Sequence, residues 1–221
     1  MMRQRSARVL MLVVLCLPVL VHPGTSPATA SGLEDRPSMP ALGRGVFLIA
    51  SPLLLDPNFR ETVVFLCDYG VEGAMGVIVN RPTTVLLSEV LPDLAVLKGT
   101  SHLLFAGGPV QPTGVLMLFR VAREPPGTRQ VMKGVYLGGN LETLERLITK
   151  PEPTETFRAY AGYAGWGPGQ LEFEMAQGSW ATVRADPTKI FVQDPSELWS
   201  ELIQSLRGPR VIRLEPAEMG R

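Results

Sequence analysis

Residues 45–82 read GVFLIASPLLLDPNFRETVVFLCDYGVEGAMGVIVNRP, and the three apolar runs inside them decide the fold. Gly45 to Ala50 is a continuous apolar run closed by Ser51-Pro52, the pattern of a buried strand. Asp56-Pro57-Asn58 is turn chemistry. Thr62 to Cys67 is a second buried run, Asp68 to Gly73 a loop, and Ala74 to Val79 a third strand. The second and third runs, joined by a glycine-containing loop, predict an antiparallel hairpin. Asn80-Arg81-Pro82 then ends the strand, because proline brings no N–H to a ladder.

Downstream, Thr83 or Thr84 is placed to cap a short helix with Leu86, Leu87, Val90 and Leu91 on one face. Strands are predicted over Leu103–Ala106, Val115–Val121, Gln130–Leu137 and Phe157–Tyr163. Asn140 caps a helix carrying Leu141, Leu144, Leu147 and Ile148. The turn Gly165-Trp166-Gly167-Pro168-Gly169 opens a helix with Leu171 and Met175, stopped by Gly178. Trp180–Val183 resumes strand, and Ile190-Phe191-Val192 reads as a short one. Asp194, Pro195 and Glu197 have capping-box spacing before the stripe Leu198, Trp199, Leu202, Ile203 and Leu206, which ends at Gly208-Pro209. Strands and helices mix without βαβ alternation, which argues for an α+β fold in a single domain over residues 43–208. Residues 31–42 read as a flexible linker and 209–221 as a C-terminal tail.

The chain has 221 residues, 45% apolar and 19% charged, ample for a core. No run beyond the N-terminus reaches 18 apolar residues, so no membrane span is expected in the body. Residues 1–30 differ: Arg3, Arg5 and Arg8, then the apolar run Val9–Val21, then Ala28-Thr29-Ala30, the three-part anatomy of a secretory signal. Export to the periplasm or medium is the expectation, and translation from Met39 in the cytoplasm is the alternative. Without residues 1–30 the chain carries 18 basic and 21 acidic side chains, a net charge near −3. That balance, with scattered basic residues, disfavours a nucleic-acid partner. Cys67 is then the only cysteine, so no intramolecular disulfide forms.

The runs GVFLIASPLLLDPNFRETVVFLCDYGVEGAMGVIVNRP (45–82), FAGGPV (105–110), VYLGGNLETLERL (135–147) and YAGYAGWGPGQLEFEMAQGSW (160–180), in this order, resemble the YqgE/AlgH family of bacterial proteins. The resemblance covers roughly residues 43–206. It implies a mixed, mainly antiparallel sheet folded into a pseudo-barrel with peripheral helices. It also implies a family of unsettled activity, with a proposed link to regulation of alginate production. The family generally lacks an export signal, and Tyr69 stands where relatives often carry His.

Reactive machinery is not visible. One His and one Cys in the mature chain cannot make the usual zinc ligand sets, and no metal or cofactor is expected. HExxH, the P-loop and the GxSxG elbow are missing. His102, just before an apolar strand, reads as a satisfied structural histidine, and Glu172 and Glu174 read as solvent-facing or capping residues. Six residues remain as a candidate ligand or partner surface. Asn80 and Arg81 close a buried strand with polar groups. Gly107 and Gly108 permit close backbone approach. Trp166 and Gln170 flank a glycine-rich turn at a helix N-terminus, where backbone N–H groups can hold an anion. Each also has a plainer reading as turn chemistry, fold geometry or a lid on the core. The expected function is therefore a non-enzymatic binding or regulatory protein, with an unknown protein or small molecule as partner. The alternatives are an enzyme acting on a small anionic ligand and a thiol sensor through Cys67, although an apolar strand and Asp68 both raise a thiol pKa.

Overall fold

The computed structural model describes residues 40–207. The expectations placed on the export segment, on most of the linker, on the Gly208-Pro209 stop and on the tail lie outside the described residues. In chain order the elements are β1 (Val46–Ala50), β2 (Val63–Gly70), β3 (Gly73–Ile78), β4 (Pro82–Leu86), α1 (Leu87–Val90) and a 3-10 turn at Ala95–Leu97. They continue with β5 (Leu103–Ala106), β6 (Val110–Arg120), β7 (Thr128–Met132), β8 (Val135–Gly138), α2 (Leu141–Thr149) and β9 (Thr156–Trp166). The last are α3 (Gln170–Ala176), β10 (Trp180–Arg184), α4 (Pro187–Ile190) and α5 (Leu198–Leu206).

The strands form one mixed sheet in the order β10-β1-β2-β3-β9-β6-β8-β7, with β4 on β5 and β5 on β9. Only β5 and β9 run parallel; the other pairs are antiparallel. The sheet curls into a half-barrel, and its far edge returns toward its start. Arg129 of β7 meets Asp68 of β2 at 2.7 Å, and a side chain on Gly45 would lie 3.3 Å from Met132. The architecture is thus the α+β, mainly antiparallel pseudo-barrel expected.

Burial on both faces explains the unbroken apolar runs, which alternate only where one face is wet. All five residues of β1 are buried. Its Phe47 and Ile49 point into the curl with Phe65, Val77, Leu118 and Tyr160. Val46, Leu48 and Ala50 point outward under α3, with Leu171, Trp166 and Trp180. A third apolar layer lies beneath α1 and α2 around Phe119 and Leu144. The stripe of α5 plugs one end of the curl, with Leu198 and Leu202 buried and Trp199, Ile203 and Leu206 packed beside them.

Several local expectations hold. The β2–β3 hairpin pairs Gly70 with Gly73, and Asn140 caps α2 by accepting from the Thr143 N–H at 2.7 Å. Others are corrected. Residues 82–86 form a strand rather than the start of a helix. The Thr83 hydroxyl donates to the Leu104 carbonyl at 2.7 Å, and α1 begins at Leu87 without a side-chain cap. Pro82 is tolerated because it opens a strand paired only to β5. Gln130–Leu137 is not one strand but parts of β7 and β8, folded at Gly134 with φ +75°. Ile190 ends α4 rather than starting a strand, since Asp186 caps that turn through the Thr188 N–H at 2.8 Å. The capping box before α5 does not form. The Asp194 carboxylate turns to the Ser196 N–H at 3.0 Å, and the helix starts three residues after Pro195.

Candidate functional site

The loop joining β1 to β2, residues 51–61 (SPLLLDPNFRE), gathers three of the six residues singled out in the sequence. Its turn is built locally. The Asp56 carboxylate accepts the Asn58 N–H at 2.8 Å, and the Asp56 carbonyl accepts the N–H groups of Phe59 at 2.9 Å and Arg60 at 2.7 Å. Such a turn ends in carbonyls with no partner of their own. The Arg81 guanidinium supplies one, donating to the carbonyls of Asn58 at 2.6 Å, Arg60 at 2.9 Å and Pro57 at 3.2 Å. Partial burial lowers the Arg81 pKa.

Asn80 holds the exit of the loop. Its amide oxygen accepts the Val63 N–H at 2.8 Å, and its amide nitrogen donates to the Glu61 carbonyl at 2.9 Å. Glu61 sits at φ +56°, a strained conformation for a residue with a side chain. The two bonds from Asn80, to the Glu61 carbonyl and to the Val63 N–H just after it, hold that conformation in place.

The opposite face of the loop rests on the tryptophans. Phe59 stacks on Trp166 with centroids 6.1 Å apart and meets the edge of Trp180 at 5.6 Å. Both indole N–H groups donate to one carboxylate oxygen of Glu174, at 2.9 Å from Trp166 and 2.8 Å from Trp180. Gln170 donates to the other oxygen at 3.0 Å and accepts the Gly167 N–H at 3.1 Å. Glu174 is therefore the hub of this network, which corrects its assignment to solvent or capping. Glu172 takes the Tyr69 hydroxyl at 2.7 Å, so Tyr69 has a structural partner.

Gly107 and Gly108 lie elsewhere. A side chain at Gly107 would meet the Gly162 carbonyl oxygen at 2.3 Å, and one at Gly108 would meet the Tyr163 carbonyl carbon at 2.2 Å. Their close approach is made to β9. They touch the loop only indirectly, because the neighbouring Ala106 N–H bonds the Arg81 carbonyl at 2.9 Å. The structure thus brings Asn80, Arg81 and Trp166 onto one loop, sets Gln170 one contact behind, and leaves the two glycines on the sheet.

What the loop presents outward is apolar. Leu54 and Phe59 pack inward, but Leu53 is 86% exposed and Leu55 82%. A cleft of about 550 Å³ runs between this loop and α5, lined by Leu55, Pro57, Arg60, Arg81, Glu197 and Trp199. Sequence reasoning passed over Leu53 and Leu55. The signal was three leucines in succession just before turn chemistry, where at most one could face the core.

The remaining reactive side chains are withdrawn or isolated. Cys67 is fully buried, its thiol donates to the Phe65 carbonyl at 3.5 Å, and burial pushes its pKa up to about 12. His102 is exposed at the start of β5, with its ring 4.7 Å from Phe157 and no side-chain hydrogen bond among the described residues. It is not the satisfied histidine expected. Among the described residues no group of three His, Cys, Asp or Glu side chains is placed to hold a metal ion, and no helix is long and apolar enough to cross a membrane.

These features define a half-barrel α+β domain whose polar motifs brace its own surface loop. The sequence profile of the AlgH-like family matches residues 47–210. A UPF0301 protein of Streptomyces coelicolor is 39% identical over 184 residues, spanning 80% of this chain and 92% of the relative. The solution structure of the AlgH protein from Pseudomonas aeruginosa superposes with a TM-score of 0.62 at 31% identity, covering 75% of this chain and 88% of that one. A crystal structure of a Corynebacterium diphtheriae protein gives a TM-score of 0.64 over 81% of this chain and 96% of that one; at 20% identity it speaks to the fold alone. The chain belongs to the AlgH-like family.

Proposed function

We propose that this domain is a non-enzymatic protein-binding module whose docking surface is the 51–61 loop and the cleft beside it. One observation carries the reading: Leu53 and Leu55 are held in water by a loop that is itself tied down from both sides. Exposed leucines on a loose loop would be unremarkable, since single surface apolar residues are common. Here Ser51 holds the Leu53 and Leu54 N–H groups, and the turn that follows is fixed by two side chains and an aromatic stack, so little conformational freedom is lost when a partner covers the leucines. Rigid, exposed apolar anchors with a polar rim are the anatomy of an interface centre. The rim carries both signs, Arg60 and Glu61 on the loop and Glu197 across the cleft. The partner is therefore a protein presenting apolar side chains flanked by mixed charge. The regulatory role implied by the family resemblance is exercised, on this reading, through that contact rather than through chemistry.

The test places a photo-crosslinking residue at position 55 in native cells, identifies the captured protein, and titrates the purified pair. The Leu53→Ser/Leu55→Ser double variant should melt as the parent does and bind the partner at least about tenfold more weakly. Equal binding by the double variant, or crosslinks only between copies of this chain, overturns the proposal.

A further inference from the structure

Among the described residues, one buried cation of the curl, Arg158, has no carboxylate paired with it. β9 turns Arg158 and Tyr160 toward the inside, and Arg158 keeps only 9% of its surface exposed. Its guanidinium lies over the Phe105 ring, 4.1 Å from the centroid. One terminal nitrogen donates to the Ile190 carbonyl at 2.7 Å and to the Val79 carbonyl at 3.5 Å; the other donates to the Val192 carbonyl at 2.5 Å. Carbonyls satisfy hydrogens, but they do not neutralise a charge withdrawn from water. Arg158 makes no ion pair among the described residues, whose salt bridges are Arg129–Asp68, Arg146–Glu155 and Lys189–Glu201.

A cavity of about 540 Å³ has Arg158 and Phe105 in its lining, with Ser101, His102, Gln193 and Asp194 also on its wall. Asp194 is the one carboxylate there. It is engaged by the Ser196 N–H at 3.0 Å, and the groups acting on Arg158 are its own desolvation and Tyr160. The cavity therefore offers a fixed positive charge, a hydroxyl, an amide and an imidazole. We propose that it binds a small oxyanion, a phosphate or a carboxylate group, with Arg158 as the charge partner. Besides its three bonds to carbonyls, the Arg158 guanidinium has the Tyr160 hydroxyl beside it, and a planar guanidinium favours the paired oxygens of phosphate or carboxylate over a spherical ion. Phe105 and the 190–192 backbone fix the plane of the guanidinium in advance, so a ligand meets it preorganised.

Arg158 also ties residues 190–192 to the sheet, so Arg158→Gln risks losing the fold and is not the deciding variant. The deciding experiment melts the parent protein in phosphate and in acetate, each against chloride at equal ionic strength. The melting temperature should rise saturably with at least one oxyanion, by roughly 5–10 °C at a hundredfold excess over Kd, and not with chloride. A response to phosphate alone identifies a phosphate-bearing ligand, and a response to acetate alone a carboxylate. Gln193→Glu, which adds a second carboxylate to the cavity wall beside Asp194, should weaken oxyanion affinity at least tenfold. Independently of that variant, the Arg158 Nε–H resonance of the parent should shift on titration with the active oxyanion. Equal rises in chloride and in both oxyanions, an unchanged response in Gln193→Glu, or a stationary Nε–H resonance overturns the assignment.

Discussion

Arg81 does the work of a helix cap for a turn that is not a helix. Three carbonyls of the Pro57–Arg60 turn converge on its guanidinium, and no other residue type could reach all three with a planar fork. Arg81→Ala should therefore cost about 1.5–3 kcal/mol, the range for hydrogen bonds to a charged group. Lysine should recover only part of that, because an ammonium is a point charge on a flexible stem. Chemical denaturation measures the loss, and limited proteolysis within residues 57–61 should show the loop opening ahead of the rest. Full stability in Arg81→Ala would mean that Asn80 and the Phe59 stack hold the turn without it. Asn80-Arg81 was visible in the sequence as polar residues at the end of a buried strand. Where those polar groups went was not, because their partners are backbone atoms about 20 residues upstream and carry no side-chain signature. Glu174 shows the same limit: a glutamate two residues from another says nothing about two indoles reaching it from the strands β9 and β10.

Among the elements, β7 is the one that completes the curl, and its contact to β2 is an ion pair. The Arg129 guanidinium bonding Asp68 holds that carboxyl below the usual carboxylate range. A depressed folded pKa means stability present above the unfolded value, near 3.9, and lost as pH falls through the folded value. Both side chains are more than 40% exposed, so screening keeps the contribution to at most about 1 kcal/mol. Asp68→Asn should be slightly less stable than the parent at neutral pH, and the gap should close as the pH drops below about 4. A gap independent of pH would show that packing, not charge, joins the edges. The strands themselves were legible wherever both faces are apolar, as in β1, β2 and β3. The misreadings fell where a rule had two valid outcomes. Thr83 could cap a helix or bond across a strand pair, and tertiary pairing to β5 decided it. Asp194 could cap α5 or make a local turn with Ser196, and the shorter path won.

At the scale of the whole molecule, Cys67 is buried in the wall of the curl, where every route to solvent passes through packed side chains. With a thiol pKa near 12, about one thiol in ten thousand is ionised at pH 8 even before access is considered. Alkylation of the native protein should therefore run at the pace of global unfolding and speed up in denaturant in step with it. Rapid labelling of the native state would restore the thiol-sensor alternative. The sheet order has a consequence of another kind. β1, the first strand, is paired along its length with β10, more than a hundred residues later, and Val46 sits opposite Arg184. As the chain leaves the ribosome, that place beside β1 stays vacant until the domain is almost entirely made. Loop closure of this span makes for slow folding, and the edge of β1 that β10 covers is bare throughout the wait, the period in which such chains stick to one another or are held by chaperones.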